Sequence, residues 1–108
     1  MLMGLLEKLK APDINTAYDE YLECEDALLL DVRTVEEYAA GHIPNSVNIP
    51  LNDLGKVEEI ALDYHTKIFV YCLSGIRSRK ARTLLMNMGY INVVNMGAFS
   101  SYKGTIEK

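Results

Sequence analysis

Two cysteines and two histidines are the side chains of this sequence best suited to nucleophilic or metal chemistry: Cys24, Cys72, His42 and His65. Their scattered spacing matches no metal-binding motif, so no metal or cofactor is predicted. Neither histidine is placed by sequence to act as a base for Cys72. A cysteine can still react without a base where its surroundings favour the thiolate, which is the nucleophilic form.

The residues around Cys72 predict such surroundings. Cys72 directly follows residues 67–71, a stretch rich in β-branched and aromatic side chains that predicts a buried strand. A helix is predicted over residues 78–88, with Gly89 at its end. A short strand-to-helix turn that contains a glycine can direct backbone N–H groups at one point, and the helix N-terminus adds partial positive charge. The residues whose N–H groups could bind an anion there are Leu73, Ser74, Gly75, Ile76 and Arg77, with Ser78 at the start of the helix.

Charge is unevenly distributed along the chain. Residues 1–64 hold 14 of the 15 acidic residues, whereas residues 65–108 hold seven of the 11 basic ones. Arg77 and three further bases lie within six positions shortly after Cys72. This cluster indicates either a solvated helix face or a positive field that favours an anion or a thiolate. On the alternative interpretation of Cys72 itself, it is a small buried apolar residue at the end of a strand.

Short apolar stretches alternate with helical patterns. Strands are predicted at residues 27–30, 47–49, 67–71 and 92–95, and the tail from Ala98 is predicted to be helical. Thr34 and Glu37 have the spacing of a capping box, and Gly41 stands where the helix over residues 35–40 would end. Strands separated by helices predict an α/β fold with a parallel sheet covered on both faces.

The length, hydrophobicity and net charge of the chain limit its possible functions. A chain of 108 residues predicts one domain, assigned to residues 11–108, with residues 1–10 as a separate segment that either docks as a short amphipathic helix or is flexible. No window approaches the roughly 18 apolar residues of a membrane span, and the N-terminus is too short and charged for a secretory signal. The net charge of −4 argues against nucleic-acid binding. We therefore expect a cytoplasmic protein that contacts neither membranes nor nucleic acids.

Three stretches together resemble the rhodanese-like domains. Residues 30–50 contain LDVRT, GHIP and NIP, residues 71–78 read YCLSGIRS, and residues 88–97 contain MGY and NMG. These motifs keep the order and spacing of the family over most of residues 28–104, and the chain is similar to the stand-alone, single-domain bacterial type. The resemblance implies a three-layer fold with about five short parallel strands.

The resemblance also implies a sulfurtransferase. Family members form a persulfide on their loop cysteine, here Cys72, with a sulfur from a donor such as thiosulfate, and pass it to cyanide or a thiol. The expected partners are these small molecules and thioredoxin or another thiol protein. Related phosphatases and arsenate reductases have a loop one residue longer, whereas four residues separate Cys72 from Arg77 here. A carrier or regulatory module without turnover of its own is the main alternative.

Three further residues are predicted to support the site. Asp31 is expected to pair with a basic group, Arg33 with backbone carbonyls or Glu37, and His42 to link the Gly-His-Ile-Pro turn, since buried charges need partners. Cys24 is predicted to be inert or, alternatively, to act as a resolving thiol. The chain departs from the family pattern at Gly97-Ala98, where Gly-Gly is common, and in its lack of tryptophan. Both departures concern the rim of the substrate pocket more than the chemistry. The uncharged Leu73 and Ser74 make the loop less basic than in some members that use thiosulfate, which predicts a poor use of thiosulfate.

Overall fold

The structure, a computed structural model, describes residues 12–108; the segment predicted at residues 1–10 lies outside them. Helices and strands alternate along the described chain, as the α/β prediction requires. In chain order they are α1 (Ile14–Leu22), β1 (Leu28–Asp31), α2 (Val35–Ala40), β2 (Val47–Asn48), a 3₁₀ segment (Leu51–Glu59), β3 (Ile68–Cys72), α3 (Ile76–Asn87), β4 (Val93–Ala98) and a 3₁₀ turn (Phe99–Ser101).

The four strands form one parallel sheet in the order β2-β1-β3-β4. The predicted α/β class is therefore confirmed, but the expected count of about five strands is wrong for the described residues. The chain that follows the 3₁₀ turn forms one antiparallel bridge with the body of the protein, between His42 and Glu107. Pro44 follows closely and has no N–H to donate, so this pairing does not extend into a strand.

Strand β3 divides its side chains between two cores. Ile68, Val70 and Cys72 belong to the core beneath α3 and the 3₁₀ segment, whereas Phe69 and Tyr71 belong to the core beneath α1. All five are buried, as expected for a central strand of a parallel sheet with both faces covered. This alternation places the Cys72 side chain on the face that α3 covers.

Helix α3 begins at Ile76, two residues earlier than predicted. Arg77 and Ser78 therefore lie in its first turn, and the connection from β3 shrinks to three residues. The apolar spacing of this helix predicts that Ala81, Leu84, Leu85 and Met88 are buried. Ala81 and Leu85 are buried and Met88 is partly buried, but Leu84 is 41% exposed. The prediction of a helical tail from Ala98 is wrong beyond the single 3₁₀ turn. Within residues 12–108, no helix has the length and apolar character needed to cross a membrane.

Candidate active site

Cys72 is the last residue of β3 and is completely buried. Its Sγ accepts hydrogen bonds from the backbone N–H of Gly75, at 3.0 Å, and of Ser78, at 3.3 Å. Both donors belong to the turn and the first residues of α3, so the sulfur lies at the N-terminal end of that helix. Backbone donors and a helix N-terminus together favour a negative charge on the sulfur.

Gly75 makes this turn possible through its backbone. Its φ of 93° is left-handed, and a Cβ placed there would meet only ordinary contacts, the nearest at 3.6 Å from Gly97. The need for glycine therefore comes from conformation and not from lack of space. A hydrogen bond of 3.2 Å from the N–H of Ser100 to the carbonyl of Leu73 joins the turn to the chain beyond β4. Leu73 and Ser74 are exposed on the outer surface of the turn.

A series of hydrogen bonds between side chains connects the sulfur to β4. The Ser78 hydroxyl lies 3.5 Å from Cys72 Sγ and donates to Asn95 Oδ1 at 2.7 Å. The same Oδ1 accepts the Gly97 N–H at 3.0 Å. Asn95 was not among the predicted site residues. Its only sequence signal is its place in the NMG motif, because strand periodicity does not tell which side chain reaches α3.

The Arg77 guanidinium pairs with Glu37 in two hydrogen bonds of 2.7 and 3.0 Å. Glu37 is fixed from its own side, because the predicted capping box with Thr34 is present at the start of α2. The hydrogen bonds from Arg77 lower the pKa of Glu37 to about 2. The sequence predicts that the positive charge of Arg77 favours the thiolate. In the structure a carboxylate already binds that charge.

Asp31 and Arg33 form a second pair at the end of β1. Arg33 Nη2 lies 2.7 Å from Asp31 Oδ2 and donates to the Gly41 carbonyl at 2.7 Å, so the predicted carbonyl contact is present. Burial alone would lower the pKa of Arg33, but the hydrogen bonds and charge of Asp31 outweigh it and raise that pKa. The guanidinium also lies 4.3 Å from the centre of the Phe99 ring. This pair ties β1, the end of α2 and the chain after β4 together.

His42 makes structural contacts in the turn after α2, where it was expected to be a structural link. Its ring stacks on Tyr38 at 3.6 Å between ring centres, and Nδ1 lies 2.8 Å from the Tyr38 carbonyl. Its backbone forms both hydrogen bonds of the bridge to Glu107. These contacts hold the turn after α2 and leave His42 out of the hydrogen bonds around Cys72.

Cys24 lies at the opposite end of the sheet. It lines a cavity of about 310 Å³ with His65 and Lys67, and Lys67 precedes the first residue of β3. Cys72 lies five positions after Lys67 along extended chain, a distance of roughly 15 Å. A disulfide needs Cα atoms less than about 7 Å apart, so this placement argues against a resolving role for Cys24 within one chain. Among residues 12–108, no three Cys, His, Asp or Glu side chains gather where a metal ion could bind.

The profile of the family described as "Rhodanese-like domain" matches residues 15–105. This is well over half of the sequence, and the chain therefore belongs to the rhodanese-like domain family. The structure of a rhodanese with anions from E. coli superposes with a TM-score of 0.72 at 30% identity, covering 76% of this chain and 98% of that one. The expected rhodanese fold is thus confirmed.

Two curated relatives carry different names. A sulfurtransferase of Allochromatium vinosum is 39% identical over 75 residues, which are 68% of each chain. A tRNA uridine(34) hydroxylase of Hamiltonella defensa is 32% identical over 106 residues, which are 93% of this chain but 29% of that protein. The chain spans less than half the length of several curated relatives that it matches.

Proposed function

We propose that this chain transfers a sulfane sulfur from a donor such as thiosulfate, through a persulfide on Cys72, to cyanide or a thiol. The observation that carries the proposal is the position of Cys72 Sγ, which accepts two backbone N–H groups at the N-terminus of α3. Such an environment supports a thiolate without a histidine base. Membership of the rhodanese-like family supports sulfur transfer as the reaction class.

The proposed reaction has two covalent steps. The Cys72 thiolate attacks the outer sulfur of thiosulfate, and the sulfur–sulfur bond of the donor breaks with its electron pair leaving on sulfite. The outer sulfur, now bonded to Sγ, carries the negative charge of the persulfide. The acceptor then attacks this sulfur, and the Cys72 thiolate leaves. Cyanide becomes thiocyanate, a thiolate becomes a persulfide, and the enzyme returns to its first state.

Access to the sulfur favours small donors. Cys72 is completely buried beneath a turn whose outer residues, Leu73 and Ser74, are exposed. The turn has to shift for a donor to reach Sγ, and a small anion needs a smaller shift than a large one. The four residues between Cys72 and Arg77 also support sulfur transfer over chemistry on a tetrahedral phosphate, for which related proteins have a loop one residue longer.

A carrier module is the second candidate. The complete burial of Cys72 and the pairing of Arg77 with Glu37 both oppose rapid reaction with free thiosulfate. In this role the chain would hold sulfur for a thiol protein such as thioredoxin. Either role suits a reducing cytoplasm, where free thiols persist. Turnover measured with cyanide and with reduced thioredoxin as acceptors separates the two, since a carrier reacts only with its partner.

The proposal predicts that the intact protein gains the mass of one sulfur on the Cys72 peptide after incubation with a sulfane donor. Cys72→Ser should abolish both this gain and any formation of thiocyanate, because a hydroxyl at that position forms no persulfide. Cys24→Ser is the matched control and should retain both. If no sulfane donor modifies Cys72 in the wild-type protein, the proposal fails.

A further inference from the structure

The Ser78 hydroxyl stands between two groups that compete for its proton. Ser78 is completely buried, with Asn95 Oδ1 at 2.7 Å on one side and Cys72 Sγ at 3.5 Å on the other. The orientation of the Asn95 amide is fixed by Gly97, whose N–H can only donate and therefore faces the amide oxygen. That oxygen has no proton to give. Ser78 must therefore be the donor in its bond to Asn95.

The direction of this hydrogen bond determines whether the proton or a lone pair of the Ser78 hydroxyl faces Cys72 Sγ. A hydroxyl has one proton, and Ser78 gives it to Asn95, so a lone pair of Ser78 Oγ faces Cys72. A neutral thiol can donate its S–H to that lone pair. A thiolate, in contrast, would meet a second electron-rich atom and would keep only the Gly75 and Ser78 amides as donors.

We propose that Asn95 is a positioning residue that sets the balance between thiol and thiolate at Cys72 through the Ser78 hydroxyl. With Asn95 in place, the hydroxyl supports the protonated sulfur. Formation of the thiolate turns the hydroxyl towards Sγ and breaks its bond to Asn95. The importance of this balance for turnover rests on the proposed sulfur transfer, because only the thiolate attacks a donor.

The backbone of β4 explains why an asparagine at this position reaches α3. In the sheet, Asn95 is the partner of Val70 and Gly97 is the partner of Tyr71, so Met96 is an extra residue that forms a bulge. Asn95 shares a face with Val70, which is also the face of Cys72. The bulge brings the Gly97 N–H back to the Asn95 side chain, and bulges commonly re-aim side chains in this way.

Two ion pairs lie at the ends of the elements around Cys72, and Arg79 and Lys80 are exposed further along α3. Arg77, from α3, binds Glu37 of α2, and Asp31 at the end of β1 binds Arg33. Strand β4 itself contains no titratable side chain. Substitution of Asn95 by an uncharged residue leaves these pairs unchanged, so a change in the titration of Cys72 would report the Ser78 hydroxyl.

The test follows the NMR chemical shift of Cys72 Cβ against pH, which reports thiolate formation without requiring a reagent to enter the site. Asn95→Val should lower the midpoint by roughly one pH unit, because the freed hydroxyl can donate to the charged sulfur. In the Ser78→Ala background the same Asn95→Val substitution should have no effect. Asn92→Val, an exposed asparagine just before β4, is the matched control and should leave the midpoint unchanged.

Two results would overturn the proposal: an unchanged midpoint in Asn95→Val, or an equal shift with and without the Ser78 hydroxyl. If Asn95→Val does not fold, Asn95→Asp keeps the shape and both accepted hydrogen bonds. It should raise the midpoint, and by less in the Ser78→Ala background; equal shifts there would again refute the role of Ser78. These titrations contain no sulfur donor, so they test the role of Asn95 alone. The separate mass assay for the persulfide tests the proposed function, and the two failures can therefore be distinguished.

Discussion

Two arginine–carboxylate pairs flank Cys72, and they differ in their contact with water. The side chains of Arg33 and Asp31 are 4% and 0% exposed, whereas those of Arg77 and Glu37 are 34% and 28% exposed. A buried pair is strongly destabilising when one partner is lost, since the other charge remains buried alone. A half-exposed pair contributes little to stability, and water or an anion can replace a partner. We therefore expect the first pair to maintain the fold and the second to be available to a ligand.

The largest expected effect concerns the buried pair. Arg33→Met should lower the free energy of unfolding by about 3–5 kcal/mol, because it leaves the Asp31 carboxylate buried without its partner. Urea denaturation measures this loss. Arg79→Met, at an exposed position on α3, is the matched control and should change stability by less than about 0.5 kcal/mol. A loss below about 1 kcal/mol for Arg33→Met would contradict the distinction between the pairs.

An intermediate effect is expected on reaction with anions, if the proposed function holds. Glu37→Gln releases the Arg77 charge and should raise kcat/KM for thiosulfate by about threefold, a factor typical of one charge acting near a protein surface. Reaction with an uncharged dialkyl trisulfide should not change, which makes it the internal control. Arg77→Gln should lower kcat/KM for thiosulfate. If Glu37→Gln also lowers it, the intact pair is required and Arg77 is not available to the donor.

The smallest expected effect is on the pH dependence of the free energy of unfolding. The pKa of Glu37 in the folded protein, about 2, lies below its ordinary value of 4.5, so the pair stabilises the fold above pH 4.5 and loses this contribution as pH falls towards 2. Because the pair is partly exposed, the loss should stay below about 1 kcal/mol. Urea titrations of wild type and Glu37→Gln across this range measure it. An equal difference between the two proteins at every pH would contradict the assignment.

Local signals predicted the elements around the site well. The Thr34–Glu37 capping box depends on residues three apart, and it is present as expected. The residues of β3 have a strand composition that no neighbouring signal contradicts, and the predicted strand over residues 67–71 differs from Ile68–Cys72 by one residue. The start of α3 was missed because Gly75, with its left-handed φ, ends the turn earlier than a polar cap at Ser78 would.

Contacts between distant segments could not be read from the sequence. The partner of Arg77 lies 40 residues earlier in the chain, and that of Ser78 lies 17 residues later. Charge composition indicated either a solvated helix face or a positive field near Cys72, but it did not reveal that a carboxylate on α2 reaches the same place. Asn95 was not predicted for a similar reason, because the backbone group that contacts its side chain depends on a single bulge.

Side chains alternate between the two faces of the sheet along β3, and this alternation decides which side chain reaches the N-terminus of α3. Cys72 faces α3 because it follows Val70 by two positions, and Tyr71 faces the other core. Insertion or deletion of one residue in β3 would exchange the two and bring a phenol to the N-terminus of α3 in place of a thiol. A change of one residue in the length of this strand therefore exchanges its two faces unless a bulge absorbs it, as the extra Met96 does in β4.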